Sequence, residues 1–310
     1  MVYAVVFPGQ GSQRFGMAKD FFDKFAVSRD VFAEADATLG YSVSDMCFGQ
    51  DPRLHLTTYT QPCLLAAEIA MFRALVQELG VPPAYFGGHS AGEYTALVAA
   101  GALPFSATLK LLKARGRLMQ EAVPEGKGAM AALVMDDISY DMVHSIAAQF
   151  EIDVANDNAS NQVVLSGLAE HMERLREALP GLLAQRRHRL VALNVSAPFH
   201  SRHMLAIEAP FSHELDLALA DGGGANGAAA QVTSNHSGNF HGGNCDELKS
   251  SLMKQASSTV RWRANMSALL SKCSSIIEVG PGKPLTGFFK SMGVEIQSVC
   301  DVDALARLKL

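Results

Sequence analysis

The sequence predicts an α/β fold, in which a large domain built on a parallel sheet is interrupted by a smaller α+β insert. Three observations carry this. Short apolar runs alternate with helical stretches over the first 127 residues, an alternation that places helices on both faces of a parallel sheet. Between Gly128 and about Val195 the texture becomes strand, helix, strand, helix, strand at closer spacing. An apolar run at residues 276–279 then returns the chain to the large sheet. A chain of 310 residues is long for one core, so a large domain from residues 1–127 and 199–310 around an insert at 128–198 is the expected organisation.

The elements follow in order. Met1-Val-Tyr-Ala-Val-Val-Phe7 is apolar, lacks a basic leader and is too short to span a bilayer, so it reads as a first buried strand and argues for the cytoplasm. After Gly9-Gln10-Gly11-Ser12-Gln13 and a helical region, Thr60-Gln61-Pro62 opens a helix that runs to Leu79. Residues 83–87 read as a brief strand and 93–100 as an Ala- and Leu-rich helix. In the insert, 129–134, 163–166 and 190–195 read as strands, and 139–150 and 170–179 as helices. The Gly- and Ala-rich run at 220–230 reads as a surface loop with nothing to pack. Gly280-Pro281-Gly282 ends the late strand in a tight turn.

Composition narrows the functions. Hydrophobic residues make up 48% and charged residues 18%, the balance of a globular protein. A net charge of -5, with no basic stripe interleaved with aromatics, excludes nucleic acid as the expected partner. The five cysteines, Cys47, Cys63, Cys245, Cys273 and Cys300, are odd in number and form no C-x-x-C pair. They read as reduced thiols rather than a disulfide framework or a zinc site.

The chemistry starts at Gly88-His89-Ser90-Ala91-Gly92-Glu93, where a strand should hand over to a helix. G-x-S-x-G at such a junction is a nucleophile elbow, a turn so sharp that glycine is needed on either side and the serine hydroxyl is pushed outward. Ser90 then needs a base to take its proton. Of ten histidines, His144, His171, His188 and His213 lie in polar or basic surroundings and read as solvated. His200, in Pro198-Phe199-His200-Ser201-Arg202-His203, follows a strand and a proline in a loop suited to presenting a side chain; His203 is its nearest competitor. His89 is adjacent to Ser90 but points away and reads as scaffolding.

Arg115 stands out by periodicity. At about 100° per residue, Leu111, Leu112, Leu118 and Met119 share one arc of the helix at 109–120 with Arg115 at its centre, while Lys110, Lys113 and Arg117 lie opposite. A guanidinium on a buried face is costly unless it meets an anion, and its planar fork suits a carboxylate. The anion is either an internal partner or a carboxylate on the substrate.

Phe7-Pro-Gly-Gln-Gly-Ser-Gln13, Thr60-Gln61-Pro62, Gly88-His-Ser-Ala-Gly-Glu-Tyr94, Arg115-Gly116 with Met119-Gln120, Pro198-Phe199-His200 and Glu278-Val-Gly-Pro-Gly-Lys283 together resemble malonyl-CoA:acyl carrier protein transacylases. The resemblance runs from end to end. It implies an α/β-hydrolase-like large domain with a ferredoxin-like insert, and it implies transfer of malonyl from malonyl-CoA to an acyl carrier protein with no metal or bound cofactor. By the same resemblance Ser90 is the nucleophile and His200 its base and then acid. The N–H groups of Gln10 and Ala91 form the oxyanion hole, Arg115 binds the malonyl carboxylate, and Gln61 and Met119 line the pocket. Phe199 takes the malonyl-selecting form, a bulky ring that leaves little room for branched chains. A backbone carbonyl near a glutamine orients the histidine, which maps onto Gln255; Ala256 and Thr259 stand where a leucine and a proline are common. In ordinary α/β-hydrolases an acid lies between Ser and His in chain order, and none is needed here. A hydrolase using the same Ser–His pair and a non-catalytic carrier-docking module are the rival readings. Because the family's carrier is acidic, Arg186-Arg187-His188-Arg189 is the expected docking patch.

Overall fold

The computed structural model describes residues 2–183, 186–195, 197–220 and 227–309. Among these residues the strands are β1 (Tyr3–Phe7), β2 (Tyr85–Gly88), β3 (Gly128–Met135), β4 (Asp153–Ala159), β5 (Gln162–Leu168), β6 (His188–Ala192), β7 (Ser275–Val279) and β8 (Gln297–Val299). They form two four-stranded sheets, one ordered β2-β1-β7-β8 and the other β4-β5-β3-β6.

The first sheet is parallel throughout, with Val5 opposite both Phe86 and Ile277. Its central strand, Tyr-Ala-Val-Val-Phe, is buried at every residue, as a strand covered by helices on both faces must be. The helices Thr57–Leu79, Ala91–Ala99 and Phe105–Glu121 pack together beside it, and Leu64, Leu65, Ile69, Leu75, Leu97 and Leu111 fill the main core. Gly116 makes one close approach possible, since a Cβ there would lie 2.5 Å from the Thr57 carbonyl oxygen. The second sheet is antiparallel and runs strand, helix, strand, strand, helix, strand, with the helices Tyr140–Gln149 and Ala169–Leu182. The molecule is therefore an α/β-hydrolase-like domain carrying a ferredoxin-like one.

Several local expectations are corrected. The strand β4 was not foreseen: Asp153-Val-Ala-Asn-Asp-Asn-Ala159 is rich in residues depleted from strands, and it pairs with β5 through two register shifts. Its polar side chains find distant partners instead, Asp153 with Arg202 and Asp157 with Arg263. The last small-domain strand lies at His188–Ala192 rather than 190–195, because Leu193 and Val195 leave the sheet to line the active-site cavity. The helix expected to open at Thr60 begins at Thr57, with Pro62 inside it. In the run at 220–230, residues 221–226 lie outside the described set, the helix Glu208–Ala220 reaches its start, and Ala229 is buried in the main core. His171 is half-buried beside Glu151 and Glu170, and His188 is half-buried with Nδ1 2.9 Å from the Arg186 carbonyl, so neither is simply solvated.

Candidate active site

Ser90 stands between the end of β2 and the start of the helix Ala91–Ala99, with φ 53° and ψ -106°. A non-glycine residue holds such angles only when its surroundings dictate them. The dictation comes from close packing: a Cβ on Gly88 would lie 2.0 Å from the Gly92 carbonyl carbon, and one on Gly92 would lie 2.3 Å from the Phe7 carbonyl oxygen. Only glycine fits at both, so the turn is tight and the hydroxyl projects. Asn235 clamps it from behind, accepting the Ser90 N–H at 2.7 Å and donating to the Gly88 carbonyl at 2.8 Å.

His200 reaches this hydroxyl from 110 residues further along the chain, with Nε2 2.7 Å from Ser90 Oγ. Its Nδ1 lies 2.8 Å from the Gln255 carbonyl oxygen, which fixes Nδ1 as the donor and leaves the Nε2 lone pair facing the hydroxyl. His200 is 5% exposed. Burial and then the nearby positive charge of Arg115 push its pKa down to about 3, so the imidazole is a free base at neutral pH. His203 sits on the following turn and does not meet Ser90. His89 lies with Nε2 2.8 Å from Asn158 and its ring against Trp262 and Phe288.

Arg115 is fully buried. Its terminal nitrogens donate to Gln61 Oε1 at 2.9 Å and Gln255 Oε1 at 2.7 Å, and one stands 3.4 Å from Ser90 Oγ. The guanidinium also lies 5.2 Å from the centroid of the Tyr94 ring. Among the described residues it pairs with no carboxylate, and its Nε has no partner. The internal salt bridge weighed from the sequence is therefore not there. The direct hydrogen-bond partners of Arg115 are neutral, and the Glu93 carboxylate acts on it from the far side of Gln255, so the guanidinium keeps donor capacity for an anion.

A cavity of about 90 Å³ opens over the hydroxyl, lined by Gln10, Gln61, Met119, Met130, Phe199 and His200 among others. Gln10 donates its side chain to Thr57 Oγ1 at 3.1 Å. The backbone N–H groups of Gln10 and Ala91 donate to no other described residue. Phe199 packs with Met119, Met130 and Ala256 in one apolar cluster, so its ring forms a wall of the cavity. Gln255 uses both its carbonyl and its side chain here, and the unusual Thr259 that follows donates to the Val154 carbonyl at 2.7 Å, tying this segment to β4. Of the basic run, Arg186 donates to the Asp136 and Asp137 carbonyls, while Arg187 and Arg189 are exposed.

The structure also brings in Asn235, Glu93 and Asn158, which the sequence did not single out. Glu93 alone carried a signal, an acid on an otherwise apolar helix, the same anomaly that marked Arg115.

The elbow serine with its buried imidazole is the arrangement of an enzyme that moves an acyl group. The chain matches the acyl transferase domain family over residues 4–281 and belongs to it. It is 37% identical over 292 residues to a malonyl CoA-acyl carrier protein transacylase from Escherichia coli, covering 93% of this chain and 92% of that one. A polyketide biosynthesis malonyl CoA-acyl carrier protein transacylase from Bacillus velezensis is 36% identical over 302 residues, 94% of this chain and 97% of the other. A solved acyl carrier protein S-malonyltransferase from Vibrio cholerae superposes with a TM-score of 0.87 at 33% identity, over 100% of both chains.

Proposed function

We propose that the chain transfers malonyl from malonyl-CoA to the phosphopantetheine thiol of an acyl carrier protein, by two exchanges through a malonyl-Ser90 ester. One observation carries the acyl group's identity: Arg115 is buried 3.4 Å from the nucleophile, and among the described residues no carboxylate is in direct contact with it. Nη1 donates to Gln61 and keeps one further N–H, while the second N–H of Nη2 makes only the long 3.4 Å contact to Ser90 Oγ. A malonyl carboxylate that takes over this N–H together with that of Nη1 is gripped at two points.

In the first exchange His200 Nε2 takes the Ser90 proton as Oγ adds to the thioester carbonyl. The oxyanion is met by the N–H groups of Gln10 and Ala91, which have no partner among the described residues, donors of a kind worth about 3 kcal/mol each in the transition state. Collapse breaks the C–S bond, and the imidazolium returns its proton to the departing coenzyme A thiolate. In the second exchange His200 deprotonates the carrier's thiol, sulfur adds to the ester carbonyl, and Ser90 leaves with the proton. Only an acyl group and a proton change hands, so the chemistry calls for no metal or redox cofactor. Met119 and Phe199 wall the acyl chain, Gln61 holds Arg115, and the Gln255 carbonyl holds His200.

Arg187 and Arg189, exposed at one end of β6 while Val191 and Leu193 lead from it to the cavity, form the candidate docking surface for the acidic carrier. Among the described residues no helix is long and apolar enough to cross a membrane. The five unpaired thiols fit a reducing compartment, which supports the cytoplasm as the place of reaction. The relatives' names favour transfer over the hydrolytic alternative. Incubating the enzyme with malonyl-CoA and phosphopantetheinylated carrier separates the two. Malonyl-carrier should accumulate, and free malonate as the main product would reject transfer.

A further inference from the structure

Glu93 lies three residues beyond the nucleophile with its side chain fully buried. A buried carboxylate persists only when its oxygens are satisfied. Here Oε1 accepts from His241 Nε2 at 2.8 Å, while Oε2 accepts from Gln255 Nε2 at 2.8 Å and from the Asn235 N–H at 3.0 Å. Neither Glu93 nor His241 bonds to the Ser90 hydroxyl, yet both stand behind the residue that does the most positioning. Gln255 orients His200 through its backbone carbonyl, and its side chain holds both Arg115 and the Ser90 carbonyl.

The Gln255 amide has two possible orientations, and only one serves the site. Its oxygen must face Arg115, which can only donate. Flipped, the amide would set NH₂ against the guanidinium and oxygen against a carboxylate. Glu93 enforces the working orientation, because a carboxylate accepts and so draws the NH₂ end to itself. Glu93 is in turn held on its far oxygen by His241. Without that donor, Oε1 is left buried and unpartnered, and the carboxylate is anchored through Oε2 alone, about which it can rotate and shift against Gln255.

We propose that His241 is a positioning residue for acyl transfer: by donating Nε2–H to Glu93 it locks the Gln255 amide, and with it Arg115 and the segment that orients His200. The inference rests on the acyl-transfer reading above. His241 touches no reacting atom, and its Nδ1 is buried without a partner, so the bond to Glu93 is the side chain's one polar contact among the described residues.

The test compares two amides in one space. His241→Gln can place an N–H near the Nε2 position, whereas His241→Asn places its amide near Nδ1 and leaves Glu93 without the donor. Ser90 malonylation by malonyl-CoA, followed by rapid quench, should stay within about twofold of the parent in His241→Gln. It should slow at least about tenfold in His241→Asn, since a misplacement of about 1 Å can cost a hundredfold. The malonyl-over-acetyl rate ratio should also fall in His241→Asn and recover in His241→Gln, a change that loss of fold stability alone does not produce. Equal rates in both variants, or an unchanged ratio in His241→Asn, would overturn the proposal. Should neither variant fold, nitrogen NMR of the unaltered enzyme decides: a proton on Nε2 of His241 supports the role, and one on Nδ1 alone contradicts it. A parent enzyme that never becomes malonylated on Ser90 would instead sink the acyl-transfer reading itself.

Discussion

The guanidinium of Arg115 and the hydroxyl of Ser90 come within 3.4 Å of each other, though the first lies inside a helix and the second at the head of another. That separation joins the proposed carboxylate-binding group to the proposed nucleophile. The same charge acts on the imidazole of His200, so on the proposed reading Arg115 serves both the malonyl carboxylate and the base.

Removing that charge should change selectivity before anything else. Arg115→Ala should delete the two charge-assisted hydrogen bonds proposed for malonyl, together about 3 kcal/mol, which is roughly a hundredfold in kcat/KM. Acetyl loading, which uses neither bond, should fall far less. Parallel single-turnover assays with the two donors check this, and equal losses would remove the carboxylate-binding role.

The pH dependence follows from His200. Its pKa is pushed down to about 3, below the ordinary 6.5, by burial first and by Arg115 second. Acyl-enzyme formation should therefore keep its rate as pH falls well below 6.5. In Arg115→Ala the second cause is gone, so the acid limb should move upward toward 6.5, measured with acetyl-CoA to keep a usable signal. The stability sign is opposite to that of a salt-bridged histidine. The unfolded chain takes up the His200 proton first, so this group costs the fold stability progressively as pH drops from 6.5 toward 3.

The elbow should tolerate no side chain at Gly92. A methyl group there meets the Phe7 and Pro8 carbonyl oxygens at 2.3 and 2.5 Å, both backbone atoms that cannot swing aside. Gly92→Ala should lower the unfolding free energy by about 2 kcal/mol or more, with loss of Ser90 acylation. A denaturant midpoint equal to the parent's would show the packing to be looser than described.

Carrier docking should depend on Arg187 and Arg189 but not through Arg186, which is committed to the carbonyls of Asp136 and Asp137. Reversing Arg187 and Arg189 to Glu should raise KM for the carrier protein several-fold and leave KM for malonyl-CoA nearly unchanged. An unaltered carrier KM would place docking elsewhere.

Much of this site was legible in the sequence because its signals are local. Ser90 announces itself by the glycines its turn requires, and Arg115 by a helical period that sets a cation among leucines. His200 could be chosen by its place after a strand and a proline. What escaped was non-local. Asn235 sits in a polar loop whose only distinction is a partner 145 residues away, and His241 pairs with Glu93 across 148. The strand β4 was missed for a related reason, since its Asn and Asp side chains are stabilised by Arg202, Arg263 and His89 rather than by their own strand.

The central claim is that Ser90 carries the acyl group under the control of His200. Brief exposure to malonyl-CoA, acid quench and peptide mass spectrometry test it most directly. The predicted result is one malonyl adduct on the peptide containing Ser90, absent in Ser90→Ala, strongly reduced in His200→Ala and discharged by added carrier thiol. An adduct on any other residue, or full carrier malonylation by Ser90→Ala, would contradict it.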